Sequence, residues 1–169
     1  MSFGIESSEG LEAAVVRAVA GDVVLVAAVA NKNDNAVNRY PAAFPDVLAV
    51  GASNRNGRLA DFSRPGSDVD IVAPETDIPV ADPTLAGGYG IVDGTSPAAA
   101  IVAGAAALVR ARYAQLSARQ VVDRLTSTAV DKGPPGRDDA YGFGELDLVG
   151  ALTAPVGRPT PPTSQPVPT

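Results

Sequence analysis

Apolar positions along this chain alternate between two rhythms. Ser8 precedes Glu9 and Glu12, and Leu11, Val15, Ala18 and Val19 follow at helical spacing as far as Gly21, a pattern that predicts an amphipathic helix. Residues 23–29 are then continuously apolar and rich in valine, bounded by Gly21-Asp22 and by the Asn31 to Asn35 segment, as expected of a strand covered on both faces of a parallel sheet. Residues 47–50 and 69–72 repeat the pattern, with Pro45, Gly51, Pro65 and Pro74 marking the connections, and Gly87-Gly88-Tyr89-Gly90 predicts the turn of a hairpin. After Gly94 a long run of Ala, Val and Leu ends in Arg110 and Arg112, predicting a helix that is apolar nearly all round and therefore buried. Ser117 and Gln120 form a capping box, with Leu116 set against Val121, so a further helix is expected over residues 118–129; residues 146–152 predict a short terminal one. The whole reads as an α/β fold with a mostly parallel sheet.

Composition narrows the field. The 169 residues, 46% of them hydrophobic, suit one core. Net charge is −6 and the cations are scattered, which argues against a nucleic-acid partner. The absence of cysteine excludes disulfides and thiolate metal sites but leaves the redox compartment open. An α/β nucleotide binder is disfavoured and no cofactor is expected, since neither G-x-G-x-x-G nor a P-loop lies at a strand-to-helix turn, and no metal-ligating residue is singled out. The N-terminus lacks the features of a signal peptide, and the longest apolar run, residues 97–109, is short of the roughly 20 residues that span a bilayer. From residue 154 the chain is rich in Pro and Thr and reads as a disordered linker, so residues 1–153 are taken as one domain and 154–169 as its tail.

Candidate chemistry sits where Gly94-Thr95-Ser96 enters the apolar helix. A hydroxyl at a helix N-terminus lies where amide N–H groups and the dipole favour developing negative charge. A lone G-T-S triplet is more often a simple cap. Here, however, Gly94-Thr95-Ser96-Pro97-Ala98-Ala99-Ala100-Ile101-Val102-Ala103-Gly104 closely resembles the nucleophile motif G-T-S-x-A-A-P-x-V-A-G of the subtilisin-like serine proteases. In the same order, Val26-Ala27-Ala28-Val29-Ala30-Asn31 is similar to the family's strand leading into the oxyanion asparagine. Residues 40–52 resemble the segment after it, Phe62-Ser63 through Val72-Ala73-Pro74 resemble the stretch from F-S-x-x-G to A-P-G, and Tyr141-Gly142-Phe143-Gly144 to Leu152 resemble the closing helix.

The resemblance implies the C-terminal part of a three-layer subtilisin-like fold and an endopeptidase acting on extended polypeptide. Ser96 would be the nucleophile, and Asn31 would donate its side-chain amide to the oxyanion beside the Ser96 N–H. Ser2, Phe3 and Gly4 would pair with substrate backbone, while Ala28, Val29 and Ala30 would form the opposite wall of the primary pocket; for Phe3 and Val29 plain core packing is the competing expectation. Ala30 stands where the family usually has glycine, and Ala100 replaces a proline, which should straighten the helix. Lys32, next to Asn31, is better read as a solvated loop residue than as a selector of acidic substrates.

The family order is Asp, His, Ser, yet this sequence contains no histidine. In subtilisin, loss of the histidine costs roughly 2 × 10⁶ in kcat. The isolated chain is therefore expected to be inactive, lacking the half of the domain that carries Asp and His; neither Lys32 nor Lys132 matches a family base position. Without that half, residues 1–4 should form an open edge and much of the apolar helix should be uncovered. A non-catalytic remnant binding extended peptide is the alternative. The residue 141–147 ending, residues 112–120 and the Pro-rich tail look most like the actinobacterial mycosins, which implies an extracytoplasmic, membrane-anchored setting connected with type VII secretion.

Overall fold

The computed structural model describes residues 1–34, 39–75 and 77–155; most of the Pro-rich tail lies outside them. Helix α1 (Glu9–Ala20) begins where Ser8 accepts a hydrogen bond from the Leu11 N–H, with Glu9 and Glu12 in the first turn. Three parallel strands follow, β1 (Val26–Ala28), β2 (Leu48–Ser53) and β3 (Ile71–Pro74), lying in the order β1-β2-β3. Val26 is in register with Leu48, and Val50 with Ile71. Beyond β3, the Val72 N–H donates to the Gly144 carbonyl and the Leu146 N–H to Val72, so the closing segment extends the sheet.

Strand alternation sorts the core into two layers. Val26, Ala28, Leu48, Val50, Ile71 and Ala73 face the later helices, α2 (Thr95–Arg112), α3 (Ala118–Ser127) and α4 (Leu148–Thr153). Ala27, Ala49 and Val72 face the other way, into a smaller cluster with Val15 of α1 and with Val29 and Val69. Helices thus cover both faces of the parallel sheet, a partial three-layer α/β fold.

Several boundaries differ from expectation. β1 is shorter than its apolar run, and β3 begins two residues later than expected, because flanking residues such as Val29 and Val69 are buried without joining the strands. The hairpin of β4 (Ile78–Ala81) and β5 (Tyr89–Val92) places Tyr89 opposite Ala81 and Gly90 opposite Val80, so these two residues belong to a strand and the turn precedes them. Asp82 starts that turn by accepting the Thr84 N–H. α2 is not buried all round. Ala98, Ala99, Val102, Ala105, Ala106 and Val109 pack on the sheet, whereas Ile101 and Leu108 are 38% and 50% exposed on the far side. Residues 2–4 are exposed and form no strand, although Met1 exchanges backbone hydrogen bonds with Val26 and Ala28 at the free edge of β1.

Buried Arg124 of α3 ties the end of the fold together. Its Nε donates to the Ala151 carbonyl, its Nη2 donates to the Ala154 carbonyl and the Tyr113 hydroxyl, and the guanidinium lies 4.3 Å from the centre of the Tyr113 ring. Ser117 and Gln120 make both arms of the capping box at the start of α3. Replacing Ser117 by Ala should lower the unfolding free energy by about 1 kcal/mol, read as a shift in the urea midpoint at unchanged m-value.

Candidate active site

The parallel strands point their carboxyl ends at one rim of the sheet, where ligands of open α/β folds gather. β1 delivers Ala30 and Asn31 to that rim, β3 delivers Glu75, and α2 begins there with Thr95 and Ser96. Gly94 is the N-cap of α2 and makes no side-chain cap bond. A side chain on Gly94 would come no closer than 3.9 Å to the Asn31 amide, but its φ of +147° is one that only glycine adopts readily.

Asn31 is held from several sides. Its N–H donates to Asp34 Oδ2 at 2.6 Å, its carbonyl accepts the Asp34 N–H at 3.0 Å, and the next N–H, of Lys32, donates to Phe62 at 2.8 Å. On the side chain, Oδ1 accepts the Thr95 N–H at 3.2 Å. An amide whose oxygen is so engaged presents its NH₂ elsewhere. One residue on from Thr95, Ser96 lies half-buried in the first turn of α2, and its carbonyl accepts from the Ser2 hydroxyl at 3.4 Å.

Ser2, Phe3, Gly4, Ala28, Ala30, Asn31, Asp34, Thr95 and Ser96 line a single cleft of ≈ 360 Å³. Of the residues expected to carry the chemistry or bind substrate, Val29 is not brought in: alternation along the chain turns it into the core on the α1 side, 3% exposed. Lys32 is exposed and does not line the cleft, whereas Asp34 does. Lys132 lies away from it, in an ion pair with Glu145 at 3.2 Å.

Glu75 was not singled out at all. It is fully buried, and its Oε2 accepts the Gly94 N–H at 2.6 Å. Burial pushes its carboxyl up to about 7; the nearby Asp93 carboxylate adds to the rise and the Gly94 bond opposes it. The one available signal was that glutamate follows Ala73-Pro74 where the family motif reads A-P-G.

A parallel α/β sheet with an asparagine and a serine meeting at its carboxyl rim defines the class, and comparison supplies the family. The Subtilase family (Peptidase_S8) matches residues 1–144, and the chain belongs to it. Subtilisin E of Bacillus subtilis (strain 168) is 40% identical over 152 residues, covering 88% of this chain and 38% of its own length. Mycosin-5 of Mycobacterium tuberculosis (strain ATCC 25618 / H37Rv) is 43% identical over 138 residues, 72% of this chain and 23% of its own length. A chain in the periplasmic assembly from the ESX-5 inner membrane complex superposes with a TM-score of 0.77 at 34% identity, over 98% of this chain and 49% of that one. The chain therefore spans about two fifths of the length of a curated relative such as Subtilisin E.

Ala30 adopts φ +78°, a left-handed conformation that costs a residue with a Cβ about 1–2 kcal/mol. Ala30→Gly should raise the thermal midpoint, with a gain in stability of about 1 kcal/mol. A second prediction concerns pH. Because the Glu75 pKa in the fold, about 7, exceeds its ordinary 4.5, the native state holds a proton that the unfolded chain has already lost. Its contribution to stability therefore falls as pH rises from 4.5 towards 7. Urea unfolding at pH 5 and pH 8 should show this loss, and Glu75→Gln should flatten it.

Proposed function

We propose that this chain supplies the nucleophile and the oxyanion donors of a subtilisin-type serine endopeptidase, and that it hydrolyses peptide bonds only together with a histidine-bearing segment outside these residues. The observation that carries this reading is the orientation of Asn31: with Oδ1 accepting the Thr95 N–H, its Nδ2 has no partner among the described residues and is left to donate into the cleft that Ser96 also lines.

In this mechanism Ser96 Oγ attacks the scissile carbonyl carbon of an extended polypeptide. The Oγ proton passes to an imidazole supplied by the other segment, and the carbonyl oxygen, now negative, accepts from Asn31 Nδ2 and the Ser96 N–H. Collapse expels the amine with the proton returned by the imidazole; water then releases the acyl group from Ser96 by the same two steps. Ser2, Phe3 and Gly4 form one wall of the substrate cleft, with Ala28 and Ala30 opposite. The chain itself contains no histidine, and without a base the hydroxyl is a weak nucleophile.

Two further observations support a need for more protein. The exposed Ile101 and Leu108 leave an apolar stripe on α2, and the Met1 segment leaves β1 at an edge. The likeness to Mycosin-5 and to the periplasmic ESX-5 assembly favours an extracytoplasmic role beside a secretion complex. No described helix is long and apolar enough to cross a membrane. The lack of histidine also favours a second reading, a peptide-binding remnant without catalysis.

Hydrolysis of a chromogenic peptide tests the choice. The chain alone should be inactive, and joined to a family half bearing Asp and His it should cleave. In that active form Ser96→Ala should cost about 10⁶ in kcat and Asn31→Ala about 10²–10³. Cleavage by the chain alone would overturn the requirement for a second segment; failure of the joined protein, if folded, would favour the remnant.

A further inference from the structure

Resting on that reading of Ser96, we propose that Glu75 is a positioning residue, whose carboxyl group holds the Gly94 N–H and thereby fixes the turn that presents the nucleophile. Two side chains anchor successive amides of this turn. Glu75 Oε2 takes the Gly94 N–H at 2.6 Å, and Asn31 Oδ1 takes the Thr95 N–H at 3.2 Å. The next amide, that of Ser96, is the one an oxyanion would use. Since Gly94 caps α2 without a side-chain bond of its own and adopts a glycine-only φ, the turn derives its rigidity from these two neighbours.

Glu75 itself has little freedom. Its own N–H donates to the Ser53 carbonyl at 2.7 Å, locking the carboxyl end of β3 to β2, and the whole residue is buried. Asn31 and Glu75 thus approach the turn from two different strand ends, so that Gly94 and Thr95 are fixed relative to the sheet and not merely to α2. The second carboxyl oxygen, Oε1, is buried with no hydrogen-bond partner among the described residues. A half-satisfied buried carboxylate is costly, which accounts for the proton being kept to about pH 7.

The charged groups around this carboxyl carry little to offset it. Asp93, just before Gly94, is acidic; Asp77 donates its N–H to Asp93, and Arg55 is engaged with Asp77 at 3.1 Å. On the facing strand ends, Ser53 and Asn31 are neutral. Protonation of Glu75 near neutrality therefore changes the strength of the acceptor facing Gly94, and the change reaches the nucleophile turn directly.

Amide NMR of the full chain between pH 5 and pH 9 tests this without requiring proteolysis, so its outcome is independent of whether a reconstituted protease is active. The Gly94 resonance should titrate with a midpoint near 7, as Glu75 does, and the Ser96 resonance should follow it. In Glu75→Gln, which keeps an oxygen acceptor but cannot ionise, the titration should vanish while Gly94 stays protected from hydrogen exchange. In Glu75→Ala, Gly94 exchange should accelerate about tenfold, the loss of roughly one hydrogen bond, with the Ser96 resonance displaced. A Gly94 amide that ignores pH in the wild type, or exchanges at an unchanged rate in Glu75→Ala, would overturn the proposal. So would a Ser96 resonance untouched by either variant, which would reduce Glu75 to local packing.

Discussion

Everything at the rim depends on how closely α2 lies on the parallel sheet. The buried side of that helix is built largely from small residues, Ala98, Ala99, Ala105 and Ala106, with Val102 between them and Val109 after them. Small side chains let the helix backbone approach the strands closely, and Val26, Ala28, Val50 and Ala73 fill the seam from below. With that distance fixed, the first turn of α2 falls at the carboxyl ends of β1 and β3. Only then can a side chain from each strand end reach an amide of the turn, Asn31 to Thr95 and Glu75 to Gly94.

Features governed by neighbours in sequence were readable from the residues. The capping box of α3 and the Ser8 cap of α1 are local chemistry, complete within four positions, and both are formed. The position of Ser96 at a helix start was legible for the same reason. Strand limits were not, because an apolar residue such as Val29 is buried equally well by joining the ladder or by lying just past it. Tyr89 and Gly90 were drawn into a predicted turn by their glycine neighbours, although Asp82, which closes the turn on Thr84, stood in the sequence as a competing signal. The exposed side of α2 shows the limit of composition: an all-apolar helix says that its faces want cover, not that this chain covers them.

Glu75 was illegible for a different reason. Its environment is made by Gly94, which lies 19 residues away and meets it only once α2 has docked. A glutamate after a proline at a strand end looks like ordinary surface until tertiary structure closes over it. Ala30 is the opposite case: the absence of glycine was visible in the sequence, and the positive φ of +78° shows that the fold imposes a left-handed backbone on a residue ill suited to it.

The grip of Arg124 has a mechanical meaning. Its guanidinium holds the carbonyls of Ala151 and Ala154 at the end of α4 and rests on Tyr113, whose hydroxyl also donates to the Leu152 carbonyl at 2.7 Å. Tyr113 is in turn the C-cap of α2. Tension applied to the chain beyond residue 155 would thus pass through this clasp to the carboxyl end of α2 as well as to α4.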